Sequence, residues 1–554
     1  MDDIIQKLRR TLAGDVHTDA ATREPMSHDA SIYELYPDVV IAPKGATDVE
    51  KIVRLVATNK TAFPSLAITP RSAGTCMSGG AIGSSILLDM TMYFHTIHQP
   101  QGRLMQVQPG AYMRDIDPIL TKHQLMFGSV PASRMLCTIG GMVGNNAGGE
   151  QSLRYGNTQN WVRSMDVVLA DGHTYTIKPL TKKQLDMKMK LDTFEGKLYK
   201  DIYELIEANY DRIKNARPHV NKNSMGYNLW SVWDRGTQIF DLTQLISGSQ
   251  GTLGVITDLT MEAVVKPKHT GLLLIYLTSA KKLDKIVPAV MKHKPDTFEG
   301  FDDITFNLGI KYFSTFRKQL GLKEWARQQR WLLRSVAKFK GHLPNIVLMV
   351  EFDGEDRDEV YKKIADLYDD LKPFKVRMDI DDDELSSAPF WQIRRASLAL
   401  LRNRVKDKYA SPFIDDMTVD PRHLPEFLPK VRQVIRKYKL PATLAGHFGD
   451  GNFHIIPLMD IENPKDQAKL EPVMRELIPI VLSHGGTMAG EHNDGMVRGP
   501  WLPAVFGDEM YRLFKQTKEI FDPQYIFNPH KKTDASWDYS MDHIRTHNQN
   551  GLIK

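Results

Sequence analysis

The chain has 554 residues, of which 42% are hydrophobic and 25% are charged, and its formal net charge is +5. The length predicts more than one domain, and the balance of residue types excludes long disorder, collagen-like repeats and coiled coil. The positive surplus is spread along the chain without a dense basic block, so we do not expect nucleic-acid binding.

The chain contains only two cysteines, Cys76 and Cys137. A disulfide framework and an iron–sulfur cluster both need more, so we expect a reducing compartment. The N-terminus lacks a basic segment followed by an apolar run, and no stretch of about 18 apolar residues occurs, which disfavours secretion and membrane spanning. We therefore predict a cytoplasmic location and leave open a peripheral contact with the inner face of the membrane.

The first part of the sequence, residues 1–267, predicts a strand-rich α+β domain. Apolar residues at helical spacing within residues 1–13 predict a short amphipathic lead-in helix. A strand, a Pro/Gly turn and a helix follow over residues 39–60. Short apolar strands then alternate with glycine-rich turns as far as the segment 244–265, where another glycine loop precedes a β-branched strand.

After about residue 268 the pattern becomes strand, helix, strand, and it occurs twice with a long helical insertion between the copies. The predicted strands are residues 272–277, 297–301, 345–352 and 374–380. Two such units can form one antiparallel sheet with helices on a single face. We predict a second domain over residues 268–500 and a C-terminal segment over residues 501–554 that ends in a polar tail.

Three loops of the first domain, residues 70–80, 139–149 and 247–254, are too rich in glycine for ordinary strands. Each glycine in a strand interior costs roughly 0.5–1 kcal/mol, and close approach of the backbone to a ligand would explain that cost. The loop PRSAGTCMSGG also offers hydroxyls and backbone N–H groups that suit a pyrophosphate. Its spacing matches neither a P-loop nor a Rossmann turn, and one such loop alone is more often a tight surface loop.

Four segments, three of which overlap these loops, carry a resemblance to a known family. In order and spacing they are similar to the FAD-binding domain of the vanillyl-alcohol oxidase / p-cresol methylhydroxylase superfamily: PRSAGTCMSGGAIGSSILLDMT (70–91), VPASRMLCTIGGMVGNNAGG (130–149), YGNTQNWVRSMDVVLADG (155–172) and GSQGTLGVIT (248–257). Within it the chain resembles the FAD-linked D-2-hydroxy acid dehydrogenases, the D-lactate and glycolate dehydrogenase group, from about Asp29 to Lys531. The resemblance implies a two-part FAD-binding domain, an α+β cap domain for the substrate and a short C-terminal helical segment.

The resemblance also implies how FAD is held. Some family members attach FAD covalently through a His in the first loop, where this chain has Thr75, so we expect non-covalent FAD. The implied cofactor-binding residues are Arg71, Ser72, Ala73, Gly74, Thr75, Cys76, Met77, Ser78 and Gly79 at the pyrophosphate, Pro131, Gly140, Gly141, Gly144, Asn146, Gly148 and Gly149 along the flavin and adenosine, and Gly254, Val255 and Ile256 through the backbone. In the segment FDPQYIFNPHKK (521–532), Asn528 would reach back toward the flavin.

Histidines and a carboxylate cluster in two later motifs. GHFGDGNFH places His447 and His454 on either side of a turn signal, and GGTMAGEHNDG adds Glu491 and His492. Two His and one carboxylate can bind Zn²⁺, Mn²⁺ or Fe²⁺ with open positions for a substrate, although such residues taken alone are more often surface or capping residues. By the resemblance, His447, His454 and Glu491 match metal ligands and His492 matches the catalytic base. We expect Asp450 or Asp494 either to orient these imidazoles or to cap a turn.

The segment FWQIRRASLALLRNR (390–404) supplies a candidate substrate anchor. Arg394 lies in a W-x-x-R pattern that resembles the family's carboxylate-binding segment, whereas Arg395 is an equal candidate by residue type. A solvated helix face is the alternative. Family members that act on dicarboxylates such as 2-hydroxyglutarate carry Lys and Asn where this chain has Ile414 and Ile456, so a D-lactate-like acid is expected.

Together these features predict an FAD-dependent dehydrogenase that oxidises a small D-2-hydroxy acid to the 2-oxo acid. Its electrons would pass to a quinone or an acceptor protein and not to NAD, and a homodimer stays open. A non-redox flavoprotein transferase of the same superfamily is an alternative, which the lack of a consecutive His triplet disfavours. An FAD-binding subunit of a larger oxidoreductase complex is another, which the complete His and Glu set disfavours.

Overall fold

The computed structural model describes residues 1–337, 339, 343–381, 384–397, 400–401 and 408–545. Within these ranges the strands form sheets of four, four and seven strands and three smaller sheets. The end of the predicted polar tail, from residue 546 onward, lies outside the described residues, as do parts of the segment 390–404. The domain boundaries near residues 267 and 500 stay a prediction.

The first four-stranded sheet is formed by the beginning of the chain. Its strands, in spatial order, are Asp15–His17, Val39–Ala42, Ile86–Asp89 and Ile68–Arg71. The helix Ala46–Asn59 packs on it because Val49, Ile52, Val53 and Val56 recur at helical spacing and are buried. The predicted lead-in helix is confirmed as Asp2–Thr11, and it buries Ile4, Ile5 and Leu8 in the same core.

The second four-stranded sheet is antiparallel and completes the glycine-rich part of the fold. Its strands, in spatial order, are Leu104–Val107, Val255–Glu262, Val162–Val168 and Thr174–Ile177. The strand Val255–Glu262 alternates buried and half-buried residues and directly follows the third glycine loop. The core beside this sheet includes residues of the helices Met113–Lys122, Ile139–Asn145 and Phe194–Ala208.

The seven-stranded sheet confirms the predicted repeated units. Its strands, in spatial order and all antiparallel, are Arg377–Asp381, His269–Leu277, Ile346–Gly354, Thr297–Asp302, Leu444–His447, Asn452–Ile455 and Met417–Thr418. The four predicted strands form one side of the sheet, and three short strands extend it, two of which carry His447 and His454.

Helices cover both faces of this sheet, so the expectation of a single helical face is wrong. One face packs against the helices of the two units, Leu283–Lys292 and Arg357–Leu371, together with Leu424–Lys437 and Leu470–Leu482. The other face packs against Asp303–Tyr312, Leu322–Ala337 and Glu384–Arg395. The reason lies in the strand His269–Leu277, which is apolar on both sides and needs cover on both.

The C-terminal part returns to the first sheet. After the helix Leu502–Phe521, Ile68 donates its N–H to the Ile526 carbonyl at 2.7 Å, and Asn528 donates its N–H to the Ile68 carbonyl at 2.8 Å. The shorter helices are Ala20–Met26, Ser152–Tyr155, Lys182–Lys188, Tyr210–Asn215, Thr243–Ile246, Arg317–Leu320, Pro464–Gln467, Gly495–Arg498 and Trp537–Asp542.

The three smaller sheets consist of two-residue strands: Trp233–Asp234, Ile239–Phe240 and Leu180–Thr181; Val264–Val265 and Leu125–Met126; Tyr409–Ala410 and Leu458–Met459. Across the described residues, none of the helices is both long enough and apolar enough to cross a bilayer.

Candidate active site

One cavity of about 390 Å³ is lined by all three glycine loops and by the histidine and carboxylate motifs. The predicted site residues that line it are Ser72, Ala73, Gly74, Thr75, Cys76, Met77, Pro131, Gly140, Gly141, Gly144, Gly148, Gly254, Ile256, Arg394, His454, Glu491 and His492. Residues predicted to bind cofactor, substrate carboxylate and proton therefore share a single space.

The other predicted site residues are buried behind the cavity wall. They are Arg71, Ser78, Gly79, Asn146, Gly149, Val255, Asn528 and His447. The Arg71 guanidinium lies against Gly74 and donates to the Ala81 carbonyl at 3.1 Å. Asn528 donates from Nδ2 to the carbonyls of Gly80 and Gln250, at 2.8 and 2.7 Å. These two side chains therefore hold the glycine loops in place.

Gln250, which was not among the predicted site residues, lies in the third glycine loop and joins it to the other two. Its Nε2 donates to Ser78 Oγ at 3.1 Å and to Asn145 Oδ1 at 3.2 Å, and the residue lines the cavity. A Cβ on Gly80 would collide with this same Nε2 atom, whereas a Cβ on Gly144 would meet no atom within 4 Å. Contact between the loops therefore accounts for part of the glycine content, and open space at the cavity accounts for another part.

A hairpin brings the two motif histidines together. In the paired strands Leu444–His447 and Asn452–Ile455, Ala445 is opposite His454, and His447 lies two residues further on. Both imidazoles therefore lie on the same face of the sheet, with ring centroids 5.2 Å apart. Their Nε2 atoms are 3.2 Å apart. The turn signal between them predicted this arrangement.

Glu491 completes a triad with the two histidines. Its Oε1 atom lies 3.1 Å from His454 Nε2 and 3.5 Å from His447 Nε2. The backbone N–H groups of Glu491 and His492 both donate to Asp416 Oδ2, at 2.8 and 2.7 Å. Asp416 thus fixes the backbone from which Glu491 and His492 extend.

Two buried carboxylates each connect a histidine of the triad to a residue that lines the cavity. Glu299 contacts His447 Nδ1 and accepts hydrogen bonds from Arg394 Nε and Nη2, at 2.9 and 2.7 Å. Asp415 Oδ1 lies 3.2 Å from His454 Nδ1, and Asp415 Oδ2 lies 2.6 Å from His492 Nδ1. We therefore correct the expectation for second-sphere carboxylates, because Glu299 and Asp415 orient the imidazoles. Asp494 instead pairs with Lys532 at 2.7 Å.

These contacts shift the ionisation of the cluster in a consistent direction. Burial alone would raise the pKa of Glu299, but the charges of His447 and Arg394 outweigh it and lower the pKa to about 2. Burial alone would lower the pKa of His454, but Asp415 and Glu491 outweigh it and raise the pKa to about 10. The carboxylates therefore dominate, and the cluster attracts positive charge.

A fully buried lysine neutralises the far side of Glu491. Lys222 Nζ lies 3.4 Å from Glu491 Oε2 and 3.3 Å from Asp450 Oδ2, and it donates to the Gly149 carbonyl at 3.2 Å. It therefore leaves Oε1 of Glu491 to face the histidines. No sequence motif indicated Lys222, because its contacts join segments far apart in the chain.

Asn493 fixes the loop that carries Glu491 and His492. Its backbone is in the left-handed region, with φ +62°. Its Nδ2 donates to the carbonyls of Asn145 and Gly248, at 3.1 and 2.9 Å, so the loop is tied to two glycine loops. Asparagine tolerates this conformation better than most residues other than glycine. The EHNDG motif therefore keeps the backbone that glycine would allow and adds two hydrogen bonds.

Two family models match the chain. The chain matches the family model of an FAD binding domain over residues 37–178 and that of FAD linked oxidases, C-terminal domain, over residues 266–532. The chain belongs to the FAD-linked oxidase family. This membership confirms the resemblance on which the FAD-binding expectation rested.

The chain is similar to three individual proteins. It is 26% identical to D-2-hydroxyglutarate dehydrogenase from Pantoea ananatis, over 94% of this chain and 50% of that protein. It is 26% identical to the glycolate oxidase subunit GlcD of Bacillus subtilis, over 92% of both chains. A substrate-bound p-cresol methylhydroxylase structure matches with a TM-score of 0.64 and 15% identity, over 97% of both chains. The predicted vanillyl-alcohol oxidase type of fold is therefore confirmed, and the chain spans about half the length of the D-2-hydroxyglutarate dehydrogenases it matches.

The cavity fits FAD as the cofactor. Backbone of the three glycine loops forms much of its wall, and apolar surface predominates there, as expected of a site for a large planar ring system. Gly148 also lines the wall, and a Cβ there would lie 2.6 Å from Glu491 Oε2. The absence of a side chain at this position therefore lets the Glu491 carboxylate approach the cofactor loop.

The triad of His447, His454 and Glu491 fits a divalent metal. Ligand atoms around an ion at about 2.1 Å lie roughly 3.0–3.4 Å apart, and the three observed distances are 3.1, 3.2 and 3.5 Å. Because each histidine has a carboxylate at Nδ1, Nε2 is the nitrogen that each ring would offer to a metal. Asp416, His454, Glu491 and His492 also place ligand atoms within 4.8 Å, but Asp416 Oδ2 already accepts two backbone N–H groups.

The two isoleucines used to infer the substrate lie in different places. Ile456 lines the cavity, whereas Ile414 is buried in the hydrophobic core of the seven-stranded sheet. Ile456 therefore bears directly on what the cavity accepts, and Ile414 does not face it. Arg394 and Arg395 both line the cavity, with Arg394 buried and Arg395 paired to Glu150.

Proposed function

We propose that this FAD-linked oxidase oxidises a D-2-hydroxy acid with an uncharged side chain, of the D-lactate type, to the corresponding 2-oxo acid. The observation that carries the proposal is the convergence of Arg394, His454, Glu491 and His492 on the cavity formed by the glycine loops, with His447 directly behind His454 and Glu491. This set contains an anion anchor, a base and a metal-ligand group, which together meet the needs of hydroxy acid oxidation.

Arg394 is the proposed anchor for the substrate carboxylate. Only 7% of the residue is exposed, and two of its three guanidinium nitrogens are held by Glu299. An anchored guanidinium that loses little freedom on binding suits recognition of a planar carboxylate. The D configuration rests on the names of the relatives.

His492 is the proposed base for the substrate hydroxyl. Its Nδ1 atom lies against Asp415, so Nε2 is the nitrogen that would accept the proton, and the Asp415 carboxylate would stabilise the imidazolium that forms. A divalent metal held by His447, His454 and Glu491 would lower the pKa of the hydroxyl. Bound FAD would supply the hydride acceptor at flavin N5. We propose that FAD is held non-covalently, because Thr75 stands in the first loop.

Ile456 supports a monocarboxylate substrate. It lies in the cavity wall with Arg394 and His492, where an apolar side chain cannot pair with a second carboxylate. The relatives named D-2-hydroxyglutarate dehydrogenase act on a dicarboxylate by name, so the choice between the two substrate classes is open to a direct test.

We propose a quinone or a partner protein as the electron acceptor. The relative GlcD is named as a subunit of glycolate oxidase, which favours a second candidate role for this chain as the FAD-binding subunit of a larger oxidoreductase complex. The two-cysteine composition supports a reducing, cytoplasmic location. A homodimer and a peripheral contact with the membrane are compatible with this role.

An anaerobic flavin titration tests the proposal. The purified protein is mixed separately with D-lactate, L-lactate, glycolate and D-2-hydroxyglutarate, with and without a chelator, and the flavin absorbance is recorded. We expect bleaching by D-lactate that the chelator abolishes, and release of flavin into the supernatant when the protein is precipitated with acid. A yellow protein that no acid bleaches would contradict the dehydrogenase and favour the transferase or a non-catalytic FAD-binding subunit.

A further inference from the structure

Two adjacent arginines in the cavity wall have different ionic partners. Arg394 is buried and bound to Glu299, whereas the Arg395 side chain is 54% exposed and bound to Glu150. Arg395 Nε lies 2.8 Å from Glu150 Oε1, and Arg395 Nη2 lies 2.7 Å from Glu150 Oε2. This is the bidentate geometry in which a guanidinium and a carboxylate match best.

The Glu150–Arg395 pair joins the end of the second glycine loop to the helix Glu384–Arg395. Glu150 directly follows Gly149 of the second glycine loop, and Arg395 ends the helix Glu384–Arg395. The Arg395 guanidinium also lies over the Trp391 ring, 4.9 Å from its centroid. Its position in the cavity wall is therefore set by a carboxylate on one side and an aromatic ring on the other.

The surroundings of this pair are acidic. Desolvation raises the pKa of the half-buried Glu351, and the charges of Asp353, Glu150 and Asp296 raise it further, whereas Arg395 acts in the opposite direction. Arg154 pairs with Asp296 at 2.6 Å, so its charge is also compensated. An additional carboxylate from a substrate would meet repulsion here unless a cation were released to bind it.

Arg394 and Arg395 are the lysine or arginine side chains among the described residues that line the cavity. Glu299 binds Arg394 through Oε2 alone and also contacts His447 through Oε1, whereas Glu150 binds Arg395 with both oxygens, so Arg394 is less completely neutralised by its partner. Arg394 is therefore the proposed anchor for the first carboxylate, and Arg395 is the residue left to bind a second one. We propose that Glu150 determines substrate specificity by holding Arg395 in a neutral pair, which limits the enzyme to 2-hydroxy acids with uncharged side chains. This inference rests on the proposed function and adds to it the residue that would reject dicarboxylates.

The test compares Glu150→Gln with the wild-type holoenzyme. Glutamine keeps the size of the side chain and one acceptor for Arg395 but removes the charge that neutralises it. The readout is the ratio of kcat/KM for D-2-hydroxyglutarate to kcat/KM for D-lactate, measured by flavin reduction. A charge-assisted hydrogen bond gained by the second carboxylate should raise this ratio about tenfold or more.

Two further variants keep the result interpretable. Adding Arg395→Met to Glu150→Gln should return the ratio to the wild-type value, because the released cation is gone. Asp296→Asn is the matched control, since it removes a carboxylate from the same acidic neighbourhood and breaks the pair with Arg154, which does not line the cavity. An equal gain in Asp296→Asn would show that general acidity, and not the release of Arg395, excludes dicarboxylates.

Equilibrium binding separates failure of this inference from failure of the proposed function. The Kd values of 2-oxoglutarate and pyruvate are measured from the change they cause in the flavin spectrum. An unchanged Kd ratio in Glu150→Gln, or a wild-type enzyme that already prefers the dicarboxylate, would overturn the role of Glu150. If no hydroxy acid reduces the flavin, the proposed function fails, and the Kd ratio still decides whether Glu150 controls carboxylate binding.

Discussion

Replacing Glu299 with glutamine tests whether one buried carboxylate supports both the metal-ligand group and the substrate anchor. Glu299 is fully buried and contacts both His447 Nδ1 and the Arg394 guanidinium. The substitution leaves Arg394 buried without its counter-charge, and breaking a buried pair of this kind costs about 3–5 kcal/mol of unfolding free energy. Loss of a carboxylate behind a metal-bound histidine lowers metal affinity by about 10–100-fold. We also expect a higher KM, because the anchor is no longer held.

The matched control for this variant is Asp302→Asn. Asp302 lies three residues further along the same strand and is also buried, but it caps a helix by accepting the Thr305 N–H at 3.0 Å and accepts the Leu444 N–H at 3.2 Å. Metal content by elemental analysis, chelator competition and the KM for the hydroxy acid are measured for both variants. We expect both properties to change in Glu299→Gln and to stay at wild-type values in Asp302→Asn.

The rescue variant Glu299→Asp tests position separately from charge. Aspartate keeps the charge, so it should restore stability more than it restores metal affinity. The reasoning is refuted if Glu299→Gln folds, retains its metal as well as Asp302→Asn does, and binds the hydroxy acid with the wild-type KM. In that case the contact between Glu299 and His447 would be a packing contact without a role in the site.

Three further outcomes are expected. Lys222→Met should lower the unfolding free energy by about 3–5 kcal/mol because it leaves buried carboxylates unpaired, and adding Asp450→Asn should restore part of the loss in a denaturation series. The melting temperature of Asn493→Gly should be lower than that of the wild type, and that of Asn493→Ala should be lower still because alanine adds strain at φ +62°. A higher melting temperature for Asn493→Ala than for Asn493→Gly would contradict the role of the left-handed backbone. Burial raises the pKa of Asp302 from 3.8 to about 6, so the folded state holds a proton in that window and stability falls as pH rises through it. The free energy of unfolding of Asp302→Asn should therefore rise by about 3 kcal/mol relative to that of the wild type between pH 3.8 and pH 6. If the two proteins show parallel curves of unfolding free energy against pH, this reasoning is contradicted.

Much of the fold could be predicted from local patterns. The strands at residues 272–277, 297–301, 345–352 and 374–380 are apolar runs separated by helical segments, and the structure contains each of them. The helices that cover the second face of the sheet could not be placed, since their position depends on which side of the sheet the insertion packs. The apolar residues on both sides of the strand His269–Leu277 were the available signal.

The candidate site was predictable where chemistry lies in short motifs. His447 and His454 share a hairpin, so the turn between them was enough to bring their imidazoles together. Glu299 and Lys222 were missed because their partners are far away in the chain, 148 residues between Glu299 and His447 and 269 between Lys222 and Glu491. A single acidic residue in an apolar strand, such as Glu299, nevertheless indicates a buried partner of opposite charge, because an unpaired charge is rarely buried.

Asn528 has a consequence for the order in which the molecule can be assembled. Its side chain connects Gly80 and Gln250, residues that precede it by 448 and 278 positions. Synthesis proceeds from the N-terminus, so both glycine loops emerge from the ribosome long before the residue that joins them. The two hydrogen bonds that Asn528 donates can therefore form only after the C-terminal segment has been synthesised, so we expect the glycine loops to be fixed late.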